Sequence, residues 1–187
     1  MQLIRIHTDG ACSGNQEETN LGGWGAILQY GAHQKELFGG ERNTTNNRME
    51  MTALLQALNA LKRDGQRIFV FSDSSYLTNC FREKWYERWL SNNWQTSKKT
   101  PVENRDLWEA LLIHLHANDI TFYRVKGHVN LKSKKLDQDA LYRKFIQWNG
   151  TGFTREDFIA ATEMNNRADE LANRGIELLR SEENPKM

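Results

Sequence analysis

Four carboxylates in this 187-residue chain occupy positions that ask for a chemical reason. Asp9 follows the stretch LIRIHT, Asp73 ends the apolar run RIFVFS, and Glu50 and Asp169 lie in the helical stretches NNRMEMTALLQALNALKR and NNRADELA. Taken singly, each has an ordinary structural reading. Asp9 suits a turn or cap after a strand. Asp73 suits the cap of a helix opening at Ser74, and Asp169, in the first turn of a last helix, complements the helix dipole. Glu50 suits a first-turn cap or a side chain snorkelling from the edge of its face. At ~100° per residue, however, Glu50 falls within about 80° of Leu54, Ala57, Leu58 and Leu61, the core-facing stripe of its helix. A carboxylate there is partly buried, at a cost of several kcal/mol unless it is paired or metal-bound. Together, two acids end strands and two sit early on helices able to pack beside those strand ends. Converging carboxylates repel one another and stay ionised only if a cation holds them. Hard oxygen donors without Cys or His at suitable spacing point to Mg²⁺ or Mn²⁺ rather than zinc. Two such ions ~3.5–4 Å apart clamp the attacking and leaving oxygens of a phosphodiester.

The elements that must position these acids follow from the pattern. Residues 2–8, 23–30 and 34–41 predict three strands in an antiparallel meander with a turn near Gly31, and residues 9–23 predict a loop. Residues 46–63 predict a helix with an N-cap from the Asn46–Asn47 pair and a stop at Gly65. Residues 67–72 predict a central strand covered on both faces. Helices are predicted from Ser75 to about Leu90 and over 103–117, and a strand over 120–125. The order βββ–α–β–α–α–β–α is that of an α/β domain with a mixed sheet. Residues 129–163 are too long for a structureless connection. They predict a helix over 136–148, a break at Gly150–Gly152, and a second short helix opened by a Thr154/Asp157 capping box. A separate final helix is predicted over 166–179.

Composition narrows the class. The length suits one domain, and 39% hydrophobic with 26% charged residues suits a globular chain with a sizeable core. The net charge of +1 leaves any footprint for a polyanion to local patches. Cys12 and Cys80 are far apart, which disfavours zinc and disulfides and favours a reducing compartment. The opening MQLIRIHTDGAC is too short and polar for a signal peptide, and no apolar run reaches ~18 residues. A cytoplasmic protein, away from membranes and monomeric, is the expectation.

The segments TDGACSGN (8–15), TTNNRMEM (44–51), FSDSSYL (71–77), VKGHVN (125–130) and NNRADELAN (165–173) resemble ribonuclease H type 1, the bacterial HI group, in order and approximate spacing over residues 1 to about 175. The resemblance implies the ribonuclease H-like fold, a five-stranded mixed sheet flanked by helices, in a single domain spanning 1–187. It implies an endonuclease cutting the RNA strand of RNA·DNA hybrids with two Mg²⁺ ions (Mn²⁺ as the alternative), leaving 5′-phosphate and 3′-hydroxyl ends. Asp9, Glu50, Asp73 and Asp169 match the metal-binding acids: Asp9 bridges both ions, Glu50 and Asp73 complete one site, and Asp169 the other. His128 matches the mobile active-site histidine, suited to proton transfer because imidazole titrates near neutrality; outside the motif it reads as a solvated loop residue. Thr45 and Asn46 match a pocket for a DNA-strand phosphate. Asn15, Asn46 and Asn47 match contacts to the minor groove, where the 2′-OH marks RNA. Residues 82–99 resemble a basic handle: Arg82, Lys84, Arg88, Lys98 and Lys99 against Glu83 and Glu87 give 5 − 2 = +3. Trp85 and Trp89 join Lys98 and Lys99 there as substrate-binding residues, with the tryptophans also stiffening the handle against its neighbours.

Three departures stand out. QEETN (16–20) replaces a glycine-rich turn and brings Glu17 and Glu18 toward the groove, and Ser75 stands where the family often has Gln. The third is the forty residues (169 − 129) strictly between His128 and Asp169. These predict a two-helix insertion over 129–163 beside the site, packed through its aromatics and offering cations to the hybrid, or alternatively a hairpin simply packed on the body. Two other functions share the features: a hybrid-binding module without chemistry, and a transposase, integrase or resolvase of the same fold. A reverse-transcriptase-derived domain is a third.

Overall fold

A computed structural model describes residues 3–14 and 20–183. Asn15, Glu17 and Glu18, notable in the sequence, lie outside the described residues. Three strands open the chain, β1 (Ile4–Ser13), β2 (Leu21–Tyr30) and β3 (His33–Arg42), followed by α1 (Asn46–Asn59) and β4 (Arg67–Ser72). Three helices, α2 (Ser75–Arg82), α3 (Trp85–Ser91) and α4 (Arg105–Ala117), precede β5 (Asp119–Arg124). Two more close the fold, α5 (Gln138–Asn149) and α6 (Arg155–Glu183). The five-stranded sheet has the order β3-β2-β1-β4-β5, with β1 antiparallel to β2 and parallel to β4. This is the mixed sheet with flanking helices expected from sequence.

Alternation along β1, β4 and β5 divides the core between two faces. Ile6, Ile68, Val70 and Phe122 pack with Leu54, Leu58, Leu77 and Trp108 from α1, α2 and α4. On the other face Phe71 and Val125 pack with Phe145 of α5 and Phe158 and Ala161 of α6. Further along α6, Ala168 and Leu171 cover Ile27 of β2. That approach is close: a Cβ at Gly25 would press on the Ala168 carbonyl oxygen, so glycine in β2 lets α6 lie directly on the sheet.

Besides the C-terminal end of α1, which falls at Asn59 rather than at 63, four boundaries differ notably from the sequence expectation. β1 runs to Ser13, because Asp9–Ser13 continue to pair with Leu21–Gly25 and a polar composition does not stop a ladder. The N-cap of α1 is Thr45, whose hydroxyl accepts from the Arg48 N–H at 3.2 Å, and Asn46 and Asn47 are already helical. The helix expected from Ser75 to Leu90 is two, parted at Lys84 with φ 52°. The short helix and the final helix expected over 154–179 are one 29-residue helix. The Thr154/Asp157 box does open it: Thr154 N–H donates to Asp157 at 2.8 Å and Asp157 N–H to Thr154 at 3.1 Å. No helix among the described residues is long and apolar enough to cross a membrane.

Candidate active site

The parallel pairing of β1 with β4, in register Thr8↔Ser72, brings the residues that follow, Asp9 and Asp73, to one edge of the sheet. Glu50 enters from the start of α1, a helix fixed by Arg48, which bonds Glu41 of β3 at 3.0 Å and Asp106 at the start of α4 at 3.0–3.2 Å. Ligand oxygens of Asp9, Glu50 and Asp73 all lie within 4.8 Å of one another. Asp73 does not cap the next helix; Ser74 does, accepting from the Leu77 N–H at 3.2 Å, which leaves the Asp73 carboxylate for the cluster. Asp169 lies near the middle of α6, so a first-turn dipole contact is not its role. It approaches from the α6 side, close enough for its charge to act on Asp9 and Asp73.

The electrostatics are those of acids held together against repulsion. Asp9 is 3% exposed, and burial, then the Asp73 charge, pushes its carboxyl up to about 8, although Gly10 N–H donates to it at 2.9 Å. Burial likewise drives Glu50 well up, reinforced by Asp9 and Asp73, and its Oε2 has no hydrogen-bond partner. Burial raises Asp73 too, against the opposing amide of Asn165, whose Nδ2 donates to Asp73 Oδ2 at 3.3 Å. A buried, partnerless oxygen aimed among other carboxylates fits a hard divalent cation. Sequence reasoning does not assign Asn165 this role, although a signal exists: it stands four residues before Asp169 in a helix, hence on the same face one turn earlier.

The loop after β5 crosses directly over this cluster. A Cβ at Gly127 would collide with the Asp73 carboxylate, so only glycine lets the chain pass. His128 follows in the left-handed region (φ 55°) with its side chain 75% exposed, its Nδ1 3.8 Å from Asp169 Oδ2. Buried Val129 then anchors the loop, its carbonyl accepting from Asn166 Nδ2 at 2.8 Å.

Of the expected substrate residues, Thr45, Asn46 and Asn47 are exposed at the N-terminus of α1, where free N–H groups favour an anion. Asn47, Trp85 and Trp89 line one cleft of about 710 Å³ with Tyr76 and the loop that carries Lys98 and Lys99. Trp85 keeps 36% of its surface exposed. Trp89 is mostly buried and stacks edge-on against Trp108 at 5.1 Å, the stiffening expected of it. Lys98 and Lys99 are exposed beside the cleft.

The RNase H family model matches residues 1–145. A ribonuclease H of Syntrophomonas wolfei subsp. wolfei is 51% identical over 128 residues, covering 68% of this chain and 86% of that protein. Among solved structures, LC9-RNase H1, described as a type 1 RNase H with the type 2 active-site motif, superposes with a TM-score of 0.61 at 22% identity, covering 88% of this chain and 85% of the other. LC11-RNase H1, solved in complex with an RNA/DNA hybrid, gives a TM-score of 0.52 at 21% identity over 95% and 99% of the two chains.

Proposed function

The chain belongs to the ribonuclease H family and is a ribonuclease H, and we propose that it cuts the RNA strand of RNA·DNA hybrids internally, with two Mg²⁺ ions, leaving 5′-phosphate and 3′-hydroxyl ends. The observation that carries this reading is the convergence of Asp9, Glu50 and Asp73 within 4.8 Å, with Glu50 Oε2 buried and partnerless. The family is dependent on divalent metal, and Asp9, Glu50, Asp73 and Asp169 are the residues that would hold it. Bound there, the metal would supply Lewis-acid stabilisation of the negative charge that develops at the scissile phosphate and would favour deprotonation of the attacking water. The remaining work falls to side chains. Asn165 holds one Asp73 oxygen at 3.3 Å and so fixes the direction of the other. His128, solvent-facing on a loop pinned at Val129, is placed to accept and release a proton at the open side of the site. Thr45, Asn46 and Asn47 receive a phosphate and the groove, and Asn amides both donate and accept toward a 2′-OH. Trp85 and Trp89 line the path of the second strand, with Lys98 and Lys99 beside it. Binding of LC11-RNase H1 to a hybrid supports this substrate by analogy of fold.

The test is cleavage of an end-labelled RNA strand paired with DNA, in Mg²⁺ and in EDTA, beside duplex DNA of the same sequence. Cleavage of RNA in the hybrid, only with metal, is expected. Hybrid binding without cleavage in any metal would identify a binding module, and cutting of duplex DNA a transposase-like enzyme.

A further inference from the structure

The loop between the active-site histidine and α5 is built to present lysines. Residues 126–135 contain Lys126, Lys132, Lys134 and Lys135 and no acid. Two successive turns shape it. Ser133 N–H donates to the Asn130 carbonyl at 3.1 Å and Leu136 N–H to the Ser133 carbonyl at 3.1 Å. Side chains reinforce both turns: Asn130 Oδ1 accepts from the Lys132 N–H at 3.0 Å, and Ser133 Oγ from the Lys135 N–H at 3.3 Å. Leu131, Ser133 and Leu136 are half-buried, and the three lysines between them are exposed. The nearest acids along the chain are committed elsewhere. Asp137 caps α5 through the Ala140 N–H, and Asp139 pairs with Arg155 at 2.6 Å. Lys132, Lys134 and Lys135 themselves make no ion pair among the described residues, unlike Arg48, Arg155 and Arg167.

Position makes this more than a solvated charge run. Lys132 is four residues beyond His128, so at most ~14 Å of extended chain separates them. Val129, between the two, is tied to α6 one turn before Asp169. The lysines therefore start beside the carboxylate cluster, on the α5–α6 flank, whereas the handle carrying Arg88, Lys98 and Lys99 rises from α3 on the α1–α2–α4 flank. The root of the insertion is rigid. Asn149 Nδ2 donates to the Arg124 carbonyl at 2.8 Å while its Oδ1 accepts from the Arg124 N–H at 2.9 Å, so an amide side chain pairs with edge strand β5 as a neighbouring strand would. Arg82, at the end of α2 where the handle begins, donates to Phe122 O, Trp148 O and Asn149 Oδ1 at 2.8–3.1 Å. Arg82 thus ties the start of the handle to the C-terminal end of α5.

We propose that Lys132, Lys134 and Lys135 form a second phosphate-binding surface, which grips a nucleic-acid duplex on the side of the active site opposite the handle. This rests on the hybrid-cleaving reading for the identity of the duplex, not for the existence of the surface. Neutralising three further phosphates strengthens binding and steepens its salt dependence without touching the chemical step.

The experiment measures binding by fluorescence anisotropy in EDTA from low to moderate KCl, on an RNA·DNA hybrid and on duplex DNA, with cleavage assayed separately in Mg²⁺. Four proteins are compared: wild type, the triple variant Lys132→Gln, Lys134→Gln, Lys135→Gln, the handle variant Lys98→Gln, Lys99→Gln, and a charge control Lys62→Gln, Arg63→Gln in the connection between α1 and β4. All these side chains are exposed, and circular dichroism checks folding. The triple variant is expected to lower the log–log salt slope by ~0.9 for each phosphate that is no longer neutralised, up to ~2.7. It raises KM for the hybrid with kcat within about twofold, the handle variant lowers the slope in its own right, and the control leaves the slope unchanged. A triple variant with the wild-type slope, or a slope change no larger than the control's, overturns the proposal. If the wild type fails to cut the hybrid, the hybrid-cleaving reading fails instead, while the slopes on both duplexes still decide whether the lysines bind phosphates.

Discussion

The carboxylate edge and the insertion packed beside it are built on opposite terms. At the edge, acids are gathered where they repel, Glu50 Oε2 and Asn165 Oδ1 are buried without partners, and burial pushes Asp9, Glu50 and Asp73 away from their ionised forms. In residues 129–163 no buried side-chain polar atom is left without a partner. Thr162 donates to the Phe158 carbonyl and Tyr142 to the Phe153 carbonyl, and Phe145 meets Phe153 and Phe158 at 5.4 and 5.6 Å. The edge is arranged for a ligand it must wait for, and the insertion for itself. Substitutions should therefore separate cleanly: at the edge they remove activity and spare or raise metal-free stability, and in the insertion's interior they do the reverse.

The largest effect belongs to Asp9. Asp9→Asn is expected to abolish cleavage while the fold persists, and to raise the melting temperature in EDTA because the cost of burying this carboxyl beside Asp73, which pushes it up to about 8, is removed. Cleavage within about tenfold of wild type, or a lower melting temperature in EDTA, would break the comparison at its centre. His128 comes next. It is exposed and approaches Asp169 at 3.8 Å without forming part of the packed core, so His128→Ala should slow turnover by ~10²–10⁴-fold and leave stability and metal binding unchanged. An unchanged turnover at neutral pH would return His128 to a solvated loop residue. Phe145, 2% exposed, tests the other region. Phe145→Ala should cost ~3–5 kcal/mol of unfolding free energy by chemical denaturation, with kcat of the folded fraction close to wild type. A large loss of kcat at unchanged stability would tie the insertion's interior to the chemistry.

The same contrast governs what is legible without a structure. The acids are legible because a carboxylate on the Leu54–Leu58 stripe conflicts with burial, and the conflict is visible in helical periodicity alone. The packed face of α5 is legible through the spacing of Leu141 and Phe145, but Trp148, on the same spacing, lies outside that core and beneath the cations of Arg124 and Lys144. Helix α6 is not. Its capping box at Thr154 and its motif at NNRADELAN look like two beginnings, and nothing local says that residues 158–166 stay helical between them. Packing decides it, through Phe158 and Ala161 on one stretch of sheet and Ala168 and Leu171 on the next. The extension of β1 is hidden for a related reason: its polar residues 9–13 are strand only because β2 pairs with them. Asn165 escapes notice because an amide inside a motif dominated by Asp169 does not advertise a partner ninety-two residues away.

The smallest effect sets two nearby residues of β1 against each other. His7 is 2% exposed, stacks on Phe71 at 5.0 Å and shares a 3.0 Å hydrogen bond with Gln29, and burial lowers its pKa to about 4. A depressed folded pKa means that the neutral ring is the one accommodated. The stability this represents is complete above the unfolded value of 6.5 and is lost as pH falls toward 4. Asp9 has the opposite sign. Its folded value, raised from 3.8 to about 8, means that stability is complete below 3.8 and is lost as pH rises toward 8. In EDTA, unfolding free energies measured from about pH 4 to about pH 8.5 should therefore show wild type losing ground to His7→Phe on the acid side only, by at most about 3 kcal/mol. Wild type should lose ground to Asp9→Asn progressively as pH rises from about 4, with the loss complete only on the alkaline side, near 8. Adding Mg²⁺ should abolish the alkaline loss, because a bound cation favours the ionised acids, and leave the acid-side loss unchanged, because His7 faces Phe71 and Gln29 rather than the cluster. A His7→Phe curve parallel to wild type across the whole range would show that His7 changes its protonation equally in the folded and unfolded chains. An alkaline loss that survives Mg²⁺ would show that the repulsion among the acids is not what the metal relieves.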